Sequence, residues 1–273
     1  MQRIVIKVGG GEGIELGNVL REFAELVRSG VQAVLVHGGS HETNVLSERL
    51  GVPPRFITSP SGHTSRRTDR ATLEIFEMVY CGKINKGIVE QLRRLGVDAV
   101  GLSGIDGGLW HGKRKDAIRV IEEGRTVIVR DDLTGTVEGV DARLLELLLA
   151  DGRTPVLTPP AIAEEGVAIN VDADRAAAKT AGAIGAEELL LLSNVSGVLR
   201  DPEDRSSLIE RVDGSNLGAV RLAARGRMKN KVLAAEEAIG AGVRRVVIGS
   251  ANGERPIAAA RSGTGTVFEG ALA

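Results

Sequence analysis

The chain has 273 residues, a formal net charge of −1, 42% apolar residues and 26% charged ones. This is the composition of a soluble globular protein long enough for one large domain or two lobes, and its near-neutral charge gives no sign of a nucleic-acid or membrane surface. Aromatic residues at 2% argue against stacking platforms, and Cys81 is alone, so no internal disulfide forms, as suits a reducing cytoplasm.

In chain order the pattern is strand, helix, strand, helix. Arg3–Val8 reads as a buried strand opening into Gly9-Gly10-Gly11, with strand-like residues so early that no signal peptide is expected. Residues 14–28 have helical spacing. The stretch 33–36 is a second strand, opening into His37-Gly38-Gly39-Ser40, and 42–50 a second helix. The prolines of 52–65 predict a loop, and 68–95 a helix broken near Gly82. A strand at 97–102 follows, then an antiparallel excursion over 109–137, a helix at 141–149 and a strand at 154–157. Further on come helix 175–183, strand 188–192, helix 228–241 and strand 245–248. No apolar run is long enough for a membrane span. Strands alternating with helices predict an α/β fold, a mainly parallel central sheet sandwiched by helices.

Glycines after a strand bare the backbone N–H groups that anions occupy, phosphate above all, and Lys7 adds a fixed cation at the first such turn. The Walker-type phosphate loop and the dinucleotide fingerprint are both absent. Taken singly, Lys7 reads equally as a solvent lysine, Lys231 as an exposed residue in a first helical turn, and Asp174 as the N-cap of helix 175–183. Arg66 beside Arg67 and Arg70 suits a solvated face. His37 and His41 are separated by a glycine turn and predict no metal pair; His63 and His111 read as surface groups, Cys81 as a packed small residue and Trp110 as a cover for the excursion.

The motifs taken in order resemble the amino acid kinase family, whose members include acetylglutamate kinase, glutamate kinase, carbamate kinase and aspartokinase. They are Lys7-Val8-Gly9-Gly10, His37-Gly38-Gly39, Arg66-Arg67-Thr68-Asp69, Gly101-Leu102-Ser103-Gly104-Ile105-Asp106-Gly107, Asn170-Val171-Asp172-Ala173-Asp174, Leu192-Ser193-Asn194-Val195-Ser196-Gly197 and Gly226-Arg227-Met228-Lys229-Asn230-Lys231-Val232. The resemblance implies a carbamate kinase-like fold in two lobes, about 1–178 for the acyl substrate and about 179–273 for ATP. It also implies that Lys7 and Lys231 flank the transferring phosphoryl group, with Asp174 holding both as a catalytic third. Gly38, Gly39, Ser40, Arg66 and Asn170 would bind the acceptor. Gly9, Gly10, Ser193, Asn194, Gly197 and Met228 would bind the nucleotide, and Mg2+ would accompany ATP.

Departures narrow the resemblance. Ser40 stands where acetylglutamate kinases usually have a third glycine, and Asn194 where they usually have aspartate. Pro53-Pro54-Arg55-Phe56, Ser59 to Arg66, and Glu74 to Gly82 resemble the branch acting on 2-aminoadipate or glutamate carried on the C-terminus of the small acidic protein LysW. That branch predicts a basic docking face, for which Arg55, Arg67, Lys113, Arg114 and Lys115 are candidates. The first strand begins at Arg3, without the amino-terminal helix that arginine-inhibited hexameric members of the family use, so a homodimer without that feedback is expected, in the cytoplasm that lone Cys81 suits. Two other readings remain: an acetylglutamate kinase of arginine biosynthesis, and a non-catalytic module sensing nucleotide and amino acid.

Overall fold

The computed structural model describes residues 2–59, 64–122 and 125–270. Strand β1 (Arg3–Val8) leads to helix α1 (Leu16–Arg28), strand β2 (Gln32–His37) and helix α2 (Ser40–Arg49). The expected loop contains a hairpin, β3 (Phe56–Thr58) with β4 (Thr64–Arg66), paired so that Phe56 faces Arg66. His63 lies outside the described residues. The expected break near Gly82 does not occur. Helix α3 (Arg70–Glu77) instead runs through a π-helical stretch, Met78–Ile84, into α4 (Asn85–Arg94). The wider π turns accommodate the extra residue that the helical pattern registers as an interruption.

Strand β5 (Ala99–Ser103) precedes the excursion, which consists of β6 (Trp110–Arg114), β7 (Ile118–Glu122), β8 (Arg125–Val129) and β9 (Gly135–Val140), with β6 antiparallel to β9 and β7 to β8. Trp110 is fully buried, and its Nε1 donates to Thr180 Oγ1 at 3.0 Å, so it anchors this excursion to the body. Next are α5 (Ala142–Ala150), β10 (Thr154–Thr158), β11 (Ala161–Ala163), β12 (Ala168–Ile169), α6 (Ala173–Ala183) and β13 (Glu188–Ser193). The chain continues through β14 (Arg211–Val212), α7 (Leu217–Ala223), α8 (Arg227–Gly240), β15 (Arg245–Ser250), α9 (Pro256–Arg261) and β16 (Thr266–Glu269).

Eight strands form one sheet in the order β14-β16-β15-β13-β1-β2-β10-β5, parallel except where β15 meets β16. Its central strands are mostly apolar because both faces are covered. Alternation sends Val5, Val34, Leu189 and Leu191 to a layer containing α5, α6 and α8, and Ile4, Ile6, Leu35 and Leu190 to one containing α1, α4 and α9. Lys7 follows Val5 by two residues and therefore faces α6. Among the described residues no helix is long and apolar enough to cross a membrane.

Candidate active site

The carboxyl ends of β1 and β2 abut. A Cβ on Gly10 would stand 2.0 Å from Gly39 N and 2.3 Å from Gly38 C, so only glycine lets the two turns meet. They are stitched by Gly38 N–H to Val8 O (3.0 Å), His41 N–H to Gly10 O (2.8 Å) and Ser40 Oγ to Gly10 O (3.1 Å). Both amide protons of the glycine pair expected to bind the acceptor are thus engaged within the fold, Gly38 N–H with Val8 O and Gly39 N–H with the Tyr80 hydroxyl.

Above these turns lies a cavity of about 640 Å³. The first residues of α2, α6 and α8 line it, bringing three helix N-termini to one space, an arrangement favourable to anions. Seven basic side chains line the cavity against three acidic ones, a local excess of positive charge on a chain whose net charge is −1.

Lys7 and Lys231 are neither edge nor surface lysines: they are 5% and 7% exposed. Asp174 lies between them. Lys7 Nζ is 2.6 Å from its Oδ1, and Lys231 Nζ is 3.0 and 2.9 Å from Oδ1 and Oδ2. Burial alone would push the Asp174 carboxyl up, but Lys231 and Lys7 beside it hold it far below the usual carboxylate range. Burial, helped by the charge of Lys231, lowers Lys7, with Asp174 working the other way. Asp174 is not the helix cap. Asp172 is, accepting from Arg175 N at 3.0 Å with Oδ1 and from Asn230 Nδ2 at 2.7 Å with Oδ2. That leaves Asp174 free to face inward from the first turn.

On the side expected to take the acceptor, Arg66 is 8% exposed. Its Nη2 donates to Ser40 O (3.2 Å) and Asn44 Oδ1 (2.5 Å), its guanidinium lies 5.3 Å from the Phe56 ring centre, and Nη1 has no partner among the described residues. Asn170 lines the cavity, with Nδ2 donating to Thr68 Oγ1 at 3.0 Å. Tyr80, stacked on Phe76, also lines it; burial pushes its hydroxyl up to about 12, so it is a neutral donor at physiological pH.

On the opposite side, Gly9, Ser193, Asn194 and Met228 line the cavity, and Ser193 Oγ is buried without a partner among the described residues. Gly197 does not reach it. A Cβ there would strike Thr266 Oγ1 at 2.6 Å and Leu208 Cδ1 at 2.7 Å, so this glycine serves packing behind the site.

Of the five residues expected at a docking face, Lys115 lines the cavity. Arg67 pairs with Asp131 at 2.5 Å, and Arg114 donates to Asp132 O and Arg130 O, so both are engaged within the fold. Arg55 and Lys113 are exposed away from the cavity lining. Sequence reasoning missed Arg225, Arg227, Tyr80 and Thr134 as cavity residues. Arg227 had a signal, since it opens helix α8 next to Met228, and its Nη1 donates to Ser40 Oγ at 3.3 Å across the cavity.

No cluster of three or more His, Cys, Asp or Glu is placed to hold a metal among the described residues. Of the cavity's three acids, Asp174 is committed to two ammonium groups and Asp172 to a helix cap. These residues do not form a metal cage.

A sequence model described as the amino acid kinase family matches residues 2–250. The [LysW]-aminoadipate kinase of Deinococcus radiodurans is 58% identical over 264 residues, 97% of this chain and 90% of that protein. Its counterpart in Thermus thermophilus is 52% identical over 97% of this chain and 99% of that protein. An acetylglutamate kinase of Methanopyrus kandleri is 40% identical over 91% and 95% respectively. Among solved structures, carbamate kinase from Giardia lamblia bound to citric acid shares the fold, with a TM-score of 0.66 at 14% identity over 98% of both chains. With a paired-lysine site at the meeting of two glycine turns and this likeness over nearly its whole length, the chain belongs to the amino acid kinase family.

Proposed function

We propose that this chain transfers the γ-phosphoryl group of ATP to the side-chain carboxylate of 2-aminoadipate, and of glutamate as a second acceptor, joined through its amino group to the C-terminus of the carrier protein LysW. The product is an acyl phosphate on the route to lysine, and with glutamate to arginine. The observation that carries the reading is the buried Lys7–Asp174–Lys231 group facing a cavity in which one guanidinium nitrogen, Arg66 Nη1, has no partner among the described residues. The two relatives named for that carrier-dependent reaction also resemble the chain more than the acetylglutamate kinase does.

The chemistry asks little of proton transfer. A carboxylate acceptor is already ionised at neutral pH, so its oxygen attacks the γ-phosphorus without a general base while the bond to the ADP oxygen breaks. What must be managed is negative charge between two anions. Two ammonium groups sharing one carboxylate leave one buried positive charge unspent, and it is fixed before substrate arrives. Arg66 Nη1 holds a carboxylate of the acceptor, and Asn170 with the Gly38-Gly39 turn contacts its amide portion. The nucleotide lies towards Ser193, Asn194 and Met228. Magnesium belongs to the reading only as the companion of ATP, where it would offset charge on the phosphates.

The proposal includes two lobes within the one continuous sheet, the acceptor lobe about 1–178 and the ATP lobe about 179–273, meeting within α6. It includes a homodimer, to be checked by sedimentation, and a cytoplasmic setting in which lone Cys81, its thiol pushed up to about 11 by burial, stays reduced.

The test is ATP-dependent acyl-phosphate formation, trapped as hydroxamate, with carrier-bound aminoadipate, carrier-bound glutamate and free acetylglutamate side by side. Turnover confined to the carrier-bound forms is expected. Efficient use of free acetylglutamate would replace this reading with an acetylglutamate kinase, and turnover of none would favour a sensing module.

A further inference from the structure

Two side-chain polar atoms on the acceptor side of the cavity are buried without a partner among the described residues: Arg66 Nη1 and Thr134 Oγ1. Their residues are 8% and 7% exposed. Leaving a buried polar group unpaired is costly, so two of them in one cavity wall point to a ligand that completes both.

One frame holds them. Asp132 is fully buried; its Oδ2 accepts from Thr68 N at 3.0 Å and its Oδ1 from Thr134 N at 2.8 Å. Thr134 also forms a parallel bridge with Asn170, whose amide nitrogen donates to Thr68 Oγ1. The segment carrying Arg66 and the residue Thr134 are thereby set against each other by the same carboxylate and the same asparagine. The two orphans differ in chemistry. A guanidinium N–H calls for an anion, whereas a hydroxyl is neutral and both gives and accepts hydrogen bonds, which matches an amide.

We propose that Thr134 is a substrate-binding residue whose hydroxyl meets the amide by which the acceptor's amino group is acylated, while Arg66 Nη1 takes a carboxylate of the same molecule. This rests on the reading that the cavity accepts an N-acylated acidic amino acid. The carrier-linked acids and free acetylglutamate all contain that amide, so the proposal holds for each of them.

The experiment is steady-state kinetics of Thr134→Val, which keeps the shape and removes the hydroxyl, and of Thr134→Ser, which keeps the hydroxyl. The acceptor is whichever of carrier-bound aminoadipate, carrier-bound glutamate or free acetylglutamate the wild type phosphorylates. Thr134→Val is expected to raise the acceptor KM about tenfold or more, as an unpaired amide would, with the ATP KM unchanged. Thr134→Ser is expected to restore most of the loss. Should Thr134→Val lose its circular-dichroism signature of folding, Thr134→Ala takes its place under the same expectation. An unchanged acceptor KM, or a rise matched by the ATP KM, overturns the proposal. Use of acetylglutamate alone would defeat the carrier reading while leaving this test intact; use of none of the three overturns both.

Discussion

Lys7 Nζ lies 2.6 Å from Asp174 Oδ1, with both side chains more than nine-tenths buried. Lys231 approaches the same carboxylate from the other side. Three charged groups held out of water are an expensive arrangement for folding alone, because desolvation of each ion offsets much of the Coulomb gain. The net positive charge left over is useful only to an anion entering the cavity.

Lys7→Met separates those two roles. Methionine fills the same space without a charge, and Asp174 keeps Lys231 as its partner. Burial lowers Lys7, so its ammonium form is held at a cost to stability. Stability to urea is expected to stay level or rise, while kcat falls roughly 10²–10³-fold, the usual effect of removing one preorganised charge stabiliser. A large loss of stability with kcat intact would mean that Lys7 is structural.

Asp174→Asn is expected to behave oppositely. It leaves two buried ammonium groups facing each other across a neutral amide, and breaking a buried pair in this way costs about 3–5 kcal/mol. Chemical denaturation should show that loss at pH 7. Lowering the pH reproduces part of it: Asp174 is held below its unfolded value, so its stabilising contribution is complete above about pH 4 and fades only as pH drops towards the folded value. The gap between wild type and variant should therefore persist at pH 5. A variant as stable as wild type there would contradict the arrangement.

Much of the fold and site was legible in the sequence. Central strands such as Glu188–Ser193 announce themselves because both faces are buried and the residues are nearly all apolar. Lys231 lies three, four and seven residues before the buried Ala234, Ala235 and Ala238, so helical spacing alone places it on the inner face of α8. Asp174 stands in the same relation to Ala177, Ala178 and Ala181 in α6. Short elements such as β11, β12 and β14, at two or three residues, are defined by partners distant in sequence and have no period to read. The hairpin β3–β4 was hidden by its prolines and glycine, and Thr134 by having no motif around it; its position comes from Asp132 and Asn170.

His37 supplies a pH dependence that involves no catalytic group. It is 1% exposed, its Nδ1–H donates to Gly38 O at 3.0 Å and its Nε2 accepts from Asn85 Nδ2 at 3.2 Å, a neutral ring with both nitrogens used. Burial, then the charges of Lys7 and Lys86, lower it from 6.5 to about 4 despite the Gly38 contact. The unfolded chain therefore binds the extra proton first, and stability falls as pH drops from about 6.5 towards 4. This one group should remove about 2 kcal/mol or more between pH 7 and pH 4.5. His37→Gln, which retains a donor and an acceptor, should flatten that part of the profile. Parallel profiles for wild type and variant would show that His37 titrates normally.

Asp132 is the last test, because it does not line the cavity yet holds Thr68 and Thr134 in the wall proposed to meet the acceptor. Both its oxygens accept backbone N–H groups, from Thr68 and Thr134, while Arg67 Nε stays 4.0 Å away. Asparagine offers one carbonyl oxygen and one NH2, so Asp132→Asn must leave one of the two N–H groups facing a donor. A loss of about 1–3 kcal/mol in stability is expected from that mismatch. The sharper expectation is kinetic. Displacing Thr134 relative to Arg66 should raise the acceptor KM about tenfold, since small misplacements at a binding wall are costly, while the ATP KM holds because the nucleotide side shares none of these contacts. A merely structural role would lower the active fraction and reduce kcat with both KM values unchanged, and that result would remove Asp132 from the acceptor site.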